Sequence, residues 1–275
     1  MKDTRVVTIQ DISCFGQCSL TVALPIISAC GIETVVLPTA VLSTHTSGFT
    51  GFTCRDLAKD IPEIKKHWES IPLEFDAVYT GYLGSTEEVA SVMELMDAFP
   101  SLRIVDPAMA DNGVLYPAFD MAYVSEMKKL CSTADIVIPN ITEACMLTDM
   151  PYKTEYDESY IRELIDRLSS LGAKTVILTG VSYKTARTGV AVFENGTYSY
   201  YEHKRIDRSC HGTGDVYAST FVGALFNGND AYTSAKIAAD FTVRCIENTI
   251  GDEKHWYGVK FETMIPELIA AVRKD

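Results

Sequence analysis

Short apolar runs alternate with longer segments of helical periodicity along most of the chain, and this alternation constrains the fold more than any other feature. The runs are rich in Val and Ile and too short for helices, so each is typical of a buried strand. Strands that alternate with helices predict a mostly parallel sheet covered by helices on both faces. The predicted strands are Arg5–Ile9, Thr34–Val41, Ala77–Thr80, Arg103–Val105, Ile136–Ile138 and Thr175–Thr179.

Eight segments outside these strands have apolar residues at the spacing of one helix face. Leu171-Gly172 ends one of them in the usual way, since glycine just past the last apolar turn supplies a left-handed cap. The predicted helices are Leu20–Cys30, Pro62–Ser70, Thr86–Phe99, Met121–Ser132, Tyr156–Leu171, Gly214–Phe226, Ala231–Glu247 and Phe261–Arg273.

Two further runs, Thr188–Phe193 and Thr197–His203, alternate between apolar and polar residues and are joined through Asn195-Gly196. Asn-Gly is the strongest short signal for a hairpin, so these runs predict an antiparallel ribbon at one edge of the sheet. No linker, repeat or low-complexity tract divides the 275 residues. We therefore expect a single α/β domain spanning residues 1–275.

The composition of the chain limits the classes of partner that it is expected to bind. The formal net charge of −13 argues against a nucleic-acid partner, because duplex binding depends on basic side chains. A single nucleotide is not excluded, since it needs only a local pocket of donors. No apolar run reaches the roughly 18 residues that span a bilayer. Eight scattered cysteines and a start without a signal peptide predict reduced thiols and a cytoplasmic location.

Polar residues and glycines follow every predicted strand. Ligands of open parallel sheets bind beyond the carboxyl ends of the strands, so these clusters are the candidate site. They are Asp11–Ser13, Ser43–Gly48, Gly81–Gly84, Asp106–Pro107, Asn140–Glu143 and Thr179–Gly180.

The strongest single element is Cys210–Asp215, which reads Cys-His-Gly-Thr-Gly-Asp and leads directly into an apolar helix. Glycines and a helix N-terminus together make an anion hole. Asp215 could then accept the proton of an alcohol that attacks a phosphorus atom held in that hole. Asp215 could equally cap the helix, and the residues alone leave the two alternatives even.

Asn140 and Glu143 are spaced as neighbours in the first turn of a helix. A carboxamide and a carboxylate there suit water-mediated holding of Mg²⁺ beside a triphosphate. The same spacing is typical of helix capping, which the spacing alone favours. The chain has neither the P-loop pattern nor the dinucleotide-binding pattern of glycines, which disfavours a P-loop kinase and a typical dehydrogenase.

Three motifs in order, Asp106-Pro107, Pro-Asn-x-x-Glu at Pro139–Glu143 and Gly-Thr-Gly-Asp at Gly212–Asp215, resemble the ribokinase-like superfamily. Within it, Ser13, Ser43–Thr46 and Thr80–Tyr82 resemble the substrate-side motifs of pyridoxal kinases. The resemblance runs from Asp11 to about Glu247. It implies an ATP-dependent kinase that phosphorylates the 5′-hydroxymethyl group of pyridoxal, pyridoxine or pyridoxamine.

The resemblance also implies roles for particular residues. Asp215 would be the base, and Gly212 and Gly214 would form the anion hole. Pyridoxal kinases lack the large lid of sugar kinases, often use K⁺ alongside Mg²⁺, and are commonly homodimers. The implied substrate contacts are Ser13, His45, Thr46, Tyr82, Cys210 and His211; Asn140, Thr179, Thr213 and Asp106 would lie near ATP, and Glu143 and Asp111 near the metal.

Some positions depart from the pattern. Many relatives have glycine where this chain has Ala110, and a hydroxyl residue where it has Ile138. Because Ile138 has no hydroxyl group, this position lacks a candidate ligand for a monovalent cation. The sequence therefore leaves K⁺ dependence open. Cys210-His211 resembles a pair in bacterial kinases whose thiol adds to the aldehyde of pyridoxal. A nearby imidazolium and helix N-terminus would favour the thiolate of Cys210; alternatively, Cys210 simply lines the loop.

Other interpretations stay open. A hydroxymethylpyrimidine kinase or sugar kinase would share the fold, and a non-catalytic module could bind a B6 vitamer or nucleotide. A nicotinamide-dependent dehydrogenase is disfavoured by its missing motif. Tyr198, Tyr200 and Tyr201 could stack on adenine or simply pack a sheet face. His255 lies among polar residues and is typical of a solvated surface histidine.

Overall fold

The computed structural model describes residues 4–208 and 210–273. Within them the elements are, in chain order, β1 (Arg5–Ser13), α1 (Leu20–Ala29), β2 (Glu33–Leu42), β3 (Cys54–Asp56), α2 (Asp60–Glu69), β4 (Ala77–Thr80), α3 (Thr86–Ala98), β5 (Leu102–Val105), β6 (Ala110–Asp111), β7 (Val114–Leu115), α4 (Met121–Ser132), β8 (Ile136–Val137), α5 (Ile141–Thr148), α6 (Glu158–Leu171), β9 (Thr175–Val181), β10 (Arg187–Glu194), β11 (Thr197–Lys204), α7 (Thr213–Leu225), α8 (Ala231–Thr249) and α9 (Ile265–Val272), with a 3₁₀ turn at Glu262–Met264 before α9.

Every predicted strand and helix is present, with ends that differ from the prediction by a few residues. The difference at β1 matters for function. We expected Asp11 and Ser13 to follow this strand, but β1 continues to Ser13 and contains both. The predicted strand ended four residues too early, because the polar side chains in this segment are typical of a loop.

Three short strands were not predicted. β3 has three exposed residues and therefore no apolar alternation to reveal it. β6 and β7 have two residues each and are joined by Asn112-Gly113, both with positive φ. That Asn-Gly pair is a hairpin signal, but strands of two residues give it no flanking pattern.

The chain divides into two compact units. The first is formed by the described residues of Met1–Asp76 and Ile206–Asp275. β1 and β2 are parallel, with Arg5 opposite Glu33, and their register shifts between Gln10 and Ile12. β3 adds an antiparallel edge strand beside β2. α1 packs on β1 and β2, α7 packs on α1, and α8 packs on α7.

The second unit comprises Ala77–Arg205. Its strands lie in the order β4, β5, β8, β9, β10, β11. The first four are parallel, whereas β10 and β11 are antiparallel and form the predicted edge hairpin. Asn195 and Gly196 at its turn both have positive φ, as a tight hairpin turn requires. α5 and α6 pack against β9.

Both units combine parallel strands with helices, which confirms the α/β prediction. The single domain expected over residues 1–275 stays a prediction. No disulfide joins any of the eight cysteines, all of which lie among the described residues. Among the described residues, no helix combines the length and the apolar character that crossing a membrane requires.

Candidate active site

The predicted glycine loop leads into α7, which begins at Thr213. Gly212 precedes it in the left-handed conformation, with φ of 72°. A Cβ atom at Gly212 would lie 1.8 Å from the carbonyl oxygen of Gln17, so both the backbone angle and the close approach require glycine. Gly214 differs, because a Cβ atom there would meet no described atom within 4 Å beyond its own stretch of helix. Open space beside first-turn N–H groups suits an anion.

Asp215 lies in the first turn of α7 and is partly exposed. Burial, and to a lesser degree repulsion from the Asp11 carboxylate, raise the pKa of Asp215 to about 7, while the backbone N–H groups of Ser19 and of Asp215 itself act to lower it. The N-cap is Gly212, so Asp215 is not the N-cap residue. A carboxyl group with a near-neutral pKa can take up and release protons at physiological pH.

Asp11 is 5% exposed and lies within β1, where the register shifts. Ser13 Oγ donates to Asp11 Oδ2 at 3.1 Å. Burial nevertheless raises the pKa of Asp11. Ser13 is 1% exposed. Because its hydroxyl donates to Asp11, the Ser13 oxygen could act toward a ligand only as an acceptor. Its expected role as a substrate contact stays a prediction.

Ser19 was not identified from the sequence. A serine directly before an apolar helical run is the usual N-cap signal, but the Ser19 side chain makes no capping hydrogen bond. Its backbone is left-handed, with φ of 56° and ψ of −131°, a combination that is costly for any residue with a Cβ atom. The sequence therefore contains an N-cap signal at Ser19, but this signal predicts a capping hydrogen bond that the side chain does not make.

His45 and His211 come together, with ring centroids 5.4 Å apart. His45 Nδ1 accepts from the Ser47 N–H at 3.2 Å, and Nε2 lies 2.8 Å from the Tyr257 carbonyl oxygen, which fixes a neutral ring with its proton on Nε2. Burial lowers the pKa of both histidines, and their mutual repulsion lowers that of His211 further. Both ring nitrogens of His45 are thus engaged by backbone groups, while Thr46 beside it is exposed.

Aromatic rings surround this histidine pair. Phe49 lies 4.8 Å from His45 and 4.5 Å from Trp256, measured between centroids. Trp256 and Phe15 are large exposed aromatic residues in the same unit. A wall of flat rings beside imidazoles suits a planar heteroaromatic ligand.

Two expectations about thiol and imidazole groups need correction. Burial raises the pKa of the Cys210 thiol, and Arg208 offsets this only in part. Burial also lowers the pKa of His211, so both pKa shifts run against the expected thiolate character of Cys210. His255 is not a solvated histidine either, since Nε2 lies 2.7 Å from Gln17 Oε1 and its ring lies 4.4 Å from Tyr257.

In the second unit, Asn140 and Glu143 form a complete capping box at the start of α5. Asn140 Oδ1 accepts from the Glu143 N–H at 3.0 Å, and Glu143 Oε2 accepts from the Asn140 N–H at 2.8 Å. Glu143 Oε1 also accepts from the N–H groups of Met109 at 3.1 Å and Ala110 at 3.5 Å. The capping alternative, which the spacing favoured, is confirmed.

The same geometry limits how Glu143 and Asp111 could bind a metal. Glu143 is 3% exposed, and its two oxygens already accept from three backbone N–H groups. Burial raises the pKa of Glu143 to about 8 despite these donors. Asp111 is exposed and accepts from both the backbone and the side chain of Asn112. These residues do not fit direct coordination of Mg²⁺, and no group of three or more ionisable ligands capable of holding a metal occurs among residues 4–208 and 210–273. The water-mediated role expected of Asn140 and Glu143 stays a prediction.

The remaining predicted residues are placed as follows. Asp106 is buried directly after β5. Thr179 lies in β9, and its hydroxyl donates to the Pro139 carbonyl at 3.3 Å, beside the capping box. Tyr82 is partly exposed after β4, 5.3 Å from the ring of Phe119.

Two of the hairpin tyrosines, Tyr198 and Tyr200, contact Tyr183, which lies between β9 and β10. Tyr198 Oη lies 3.0 Å from Tyr183 Oη, and the ring of Tyr183 lies 4.9 Å from that of Tyr200. Their role as a sheet-face cluster is thus visible, whereas adenine stacking stays a prediction.

The predicted site residues thus fall into two groups. The first unit contains Asp215 together with Ser13, His45, Thr46, Cys210, His211, Gly212, Thr213 and Gly214, of which Thr46 and Gly214 are exposed. The second unit holds Tyr82, Asp106, Asp111, Asn140, Glu143 and Thr179.

Comparison with known proteins identifies the family. Residues 23–259 match the model of the family described as phosphomethylpyrimidine kinase. The chain is 26% identical to a bifunctional thiamine biosynthesis enzyme of Arabidopsis thaliana over 94% of its own length and 51% of that enzyme. It is 30% identical to a bifunctional thiamine biosynthesis protein of Geobacter sulfurreducens over 70% of its own length and 38% of that protein. The chain therefore spans about half or less of these two relatives.

A relative of matching length is a pyridoxine/pyridoxal/pyridoxamine kinase of Bordetella bronchiseptica, 26% identical over 89% of both chains. The family model and this relative thus make the chain similar to two kinds of kinase, one named for a pyrimidine substrate and the other for pyridine substrates.

Solved structures match over nearly the whole chain. A candidate phosphomethylpyrimidine kinase of Bacteroides thetaiotaomicron is 35% identical, with a TM-score of 0.94 over 98% of this chain and 94% of that one. A second crystal form of it, solved with pyridoxal, has a TM-score of 0.92 over 97% and 96% of the two chains. Pyridoxal kinase of Lactobacillus plantarum is 30% identical, with a TM-score of 0.91 over 97% of each chain. The chain therefore belongs to the phosphomethylpyrimidine and pyridoxal kinase family of the ribokinase-like superfamily.

Proposed function

We propose that the chain is an ATP-dependent kinase that phosphorylates the 5′-hydroxymethyl group of a B6 vitamer. The observation that carries this proposal is the Asp215 carboxylate, with a near-neutral pKa, in the open first turn of α7 beside Gly214. A base and an anion hole on adjacent residues are what transfer of a phosphoryl group to an alcohol requires.

In this mechanism Asp215 accepts the hydroxyl proton as the alcohol oxygen attacks the γ-phosphorus. The new oxygen–phosphorus bond forms as the bond between the γ-phosphorus and the ADP oxygen breaks. The N–H groups of Thr213 and Gly214 belong to the first turn of α7, which supplies donors without intrahelical acceptors. They would stabilise the charge on the transferring phosphoryl oxygens.

Several features support a pyridine ring as the substrate. The aromatic wall at Phe49 and Trp256, next to His45 and His211, suits a flat heteroaromatic ring. The Bacteroides relative solved with pyridoxal and the Lactobacillus and Bordetella pyridoxal kinases support the same substrate class.

A second candidate is a hydroxymethylpyrimidine kinase. The family description and a hydroxymethylpyrimidine/phosphomethylpyrimidine kinase of Rhizobium meliloti, 24% identical over 78% of this chain, favour it. Both substrates are flat rings that carry a hydroxymethyl group, so the same base and anion hole would serve either.

Steady-state kinetics with ATP, Mg²⁺ and each candidate substrate tests the proposal. We expect ADP release and a 5′-phosphate product from pyridoxal, pyridoxine or pyridoxamine. A higher kcat/KM for hydroxymethylpyrimidine than for any B6 vitamer would favour the second candidate function. Stoichiometric vitamer binding without ADP release would instead indicate a non-catalytic binding protein. Asp215→Asn is the matched control, and we expect it to bind vitamer while turning over at least 100-fold more slowly.

A homodimer and the use of K⁺ are further parts of this proposal. Sedimentation of the purified chain and a comparison of turnover in K⁺ and Na⁺ salts test them. If the enzyme is monomeric and independent of K⁺, the proposed homodimer and the proposed use of K⁺ are both wrong. The proposed role of Asp215 would be unaffected.

A further inference from the structure

The loop after β4, Gly81–Gly84, has no regular secondary structure, so its peptide groups need hydrogen-bond partners outside helices and strands. The peptide between Leu83 and Gly84 has both of its polar groups bonded to side chains. Tyr123 Oη donates to the Leu83 carbonyl oxygen at 2.6 Å. The Gly84 N–H donates to Glu88 Oε2, also at 2.6 Å. Side chains from two different helices therefore fix the plane of this one peptide.

Both side chains are buried and come from the first turns of capped helices. Glu88 is 2% exposed, and its own N–H donates to Ser85 Oγ at 3.2 Å at the start of α3. Tyr123 is 3% exposed, and its N–H donates to Asp120 Oδ1 at 3.0 Å at the start of α4. α3 and α4 also pack against each other. The loop peptide is thus tied to two helices whose own starts are fixed.

A row of aromatic rings connects the same Tyr123 to Tyr82. Phe119 stacks on Tyr123, with ring centroids 3.8 Å apart and planes 9° from parallel. The ring of Tyr82 lies 5.3 Å from that of Phe119, measured between centroids. Tyr82 also directly precedes the fixed peptide in the chain, and it is only partly buried. Its backbone and its ring are therefore both held, while the residue keeps exposed surface for a ligand.

We propose that Tyr123 and Glu88 are positioning residues for Tyr82: together they fix the peptide that follows it, and Tyr123 also supports its ring through Phe119. This inference rests on the proposed function, from which it takes the flat ring of the substrate as the ligand of Tyr82. Neither Tyr123 nor Glu88 needs to touch the substrate. Their effect is to hold the Tyr82 ring in its binding orientation before the substrate arrives, which lowers the cost of ordering it.

The two hydrogen bonds can be removed one at a time. Tyr123→Phe deletes the hydroxyl but keeps the ring that stacks on Phe119, and Glu88→Ala deletes the carboxylate. Either change frees the loop peptide to turn, so substrate binding must then order the loop. We expect the substrate KM to rise about five- to tenfold in each variant while kcat stays within about twofold of wild type. Glu88→Gln keeps one accepting oxygen for the Gly84 N–H and should restore a KM near that of wild type.

Tyr160→Phe is the matched control, because it deletes an equivalent hydrogen bond in the same unit. Tyr160 lies in α6, is 7% exposed, and its hydroxyl donates to the Pro151 carbonyl oxygen at 2.7 Å. We expect Tyr160→Phe and Tyr123→Phe to lower the melting temperature to a similar extent, with only Tyr123→Phe raising KM. An equal rise of KM in Tyr160→Phe would show that general loosening of the unit is the cause, and would overturn the proposal.

A double-mutant cycle tests whether Tyr123 acts through Tyr82. The Kd values of pyridoxal and of hydroxymethylpyrimidine are measured by calorimetry in wild type, Tyr123→Phe, Tyr82→Leu and the double variant. Tyr123→Phe should weaken binding about five- to tenfold in wild type and less than about twofold once the Tyr82 ring is gone. Equal weakening in both backgrounds overturns the proposal.

The cycle separates this inference from the proposed function. Turnover of a vitamer combined with additive effects in the cycle leaves the proposed function standing and overturns the positioning role. Binding without turnover, combined with coupling between Tyr82 and Tyr123, supports the positioning role although the proposed kinase activity fails. If neither ligand binds, both are wrong.

Discussion

A Cβ atom at Gly212 would lie 1.8 Å from the carbonyl oxygen of Gln17, so the glycine loop and the segment before α1 meet backbone to backbone. Two residues further along, Gly214 has no such neighbour. The two glycines of one motif therefore serve different purposes. Gly212 permits a close backbone contact that a side chain would block, and Gly214 leaves open space beside the first turn of α7.

Alanine substitutions should separate these purposes. Gly212→Ala should lower the free energy of unfolding by more than about 2 kcal/mol, because it combines a clash with a left-handed backbone. Gly214→Ala should leave the unfolding free energy within about 0.5 kcal/mol of wild type but reduce kcat at least tenfold. Denaturant unfolding and steady-state kinetics measure the two effects. Equal stability of both variants would contradict this division.

Asp215 should lower stability at alkaline pH. Its folded pKa, about 7, lies above its ordinary value of 3.8, so the stability it contributes is present below pH 3.8 and lost as pH rises through 7. Asp215→Asn, which carries no charge, should therefore be more stable than wild type at pH 8, by about 1–2 kcal/mol. The gain should shrink toward pH 5. Urea unfolding at both pH values tests this, and a gain that grows on acidification would be incompatible with it.

Glu143 should behave as a structural residue rather than a metal ligand. Glu143→Gln replaces one accepting oxygen with a donor, leaving at least one buried N–H of Asn140, Met109 or Ala110 unpaired. We expect a loss of about 1–3 kcal/mol in unfolding free energy with or without Mg²⁺. Glu126→Gln, at a surface ion pair with Lys129, is the control and should have little effect. A loss seen only with Mg²⁺ would instead indicate that Glu143 acts through a bound metal.

His45 should make the first unit sensitive to acid. Its neutral ring accepts the Ser47 N–H, and its pKa is lowered from 6.5, so the stability it contributes is present above pH 6.5 and lost as pH falls through the folded value. Thermal unfolding of His45→Gln should therefore depend less on pH between 7.5 and 5 than that of wild type. His67→Gln, at an exposed position of α2, should retain the wild-type dependence. Parallel curves for all three proteins would refute this role.

Most of the fold could be predicted because its central strands are continuous apolar runs. Ala77–Thr80 and Met121–Ser132 agree with the prediction to the residue. β3 could not be predicted, since Cys54–Asp56 is exposed on both faces and belongs to a strand only through pairing with β2. The end of β1 was misplaced for a related reason, because polarity at Asp11 and Ser13 is typical of a loop.

The site could be predicted where a local motif carries it. Gly212–Asp215 indicates an anion hole from its own residues, and the spacing of Asn140 and Glu143 indicates a capping box. The conformation of Ser19 could not be predicted, because it combines a positive φ with a bridge to Ile12 in β1. The neutral state of His45 depends likewise on the carbonyl of Tyr257, 212 residues away.

The first unit is assembled from two segments of the chain, with all of Ala77–Arg205 between them. A ribosome adds about 5–20 residues per second, so roughly 10–40 s separate the synthesis of Asp11 from that of Asp215. During this interval the apolar face of α1 has no α7 to cover it. The nascent chain thus exposes the surface that later supports its candidate base, and its yield in cells should depend on chaperones that shield that segment until α7 emerges.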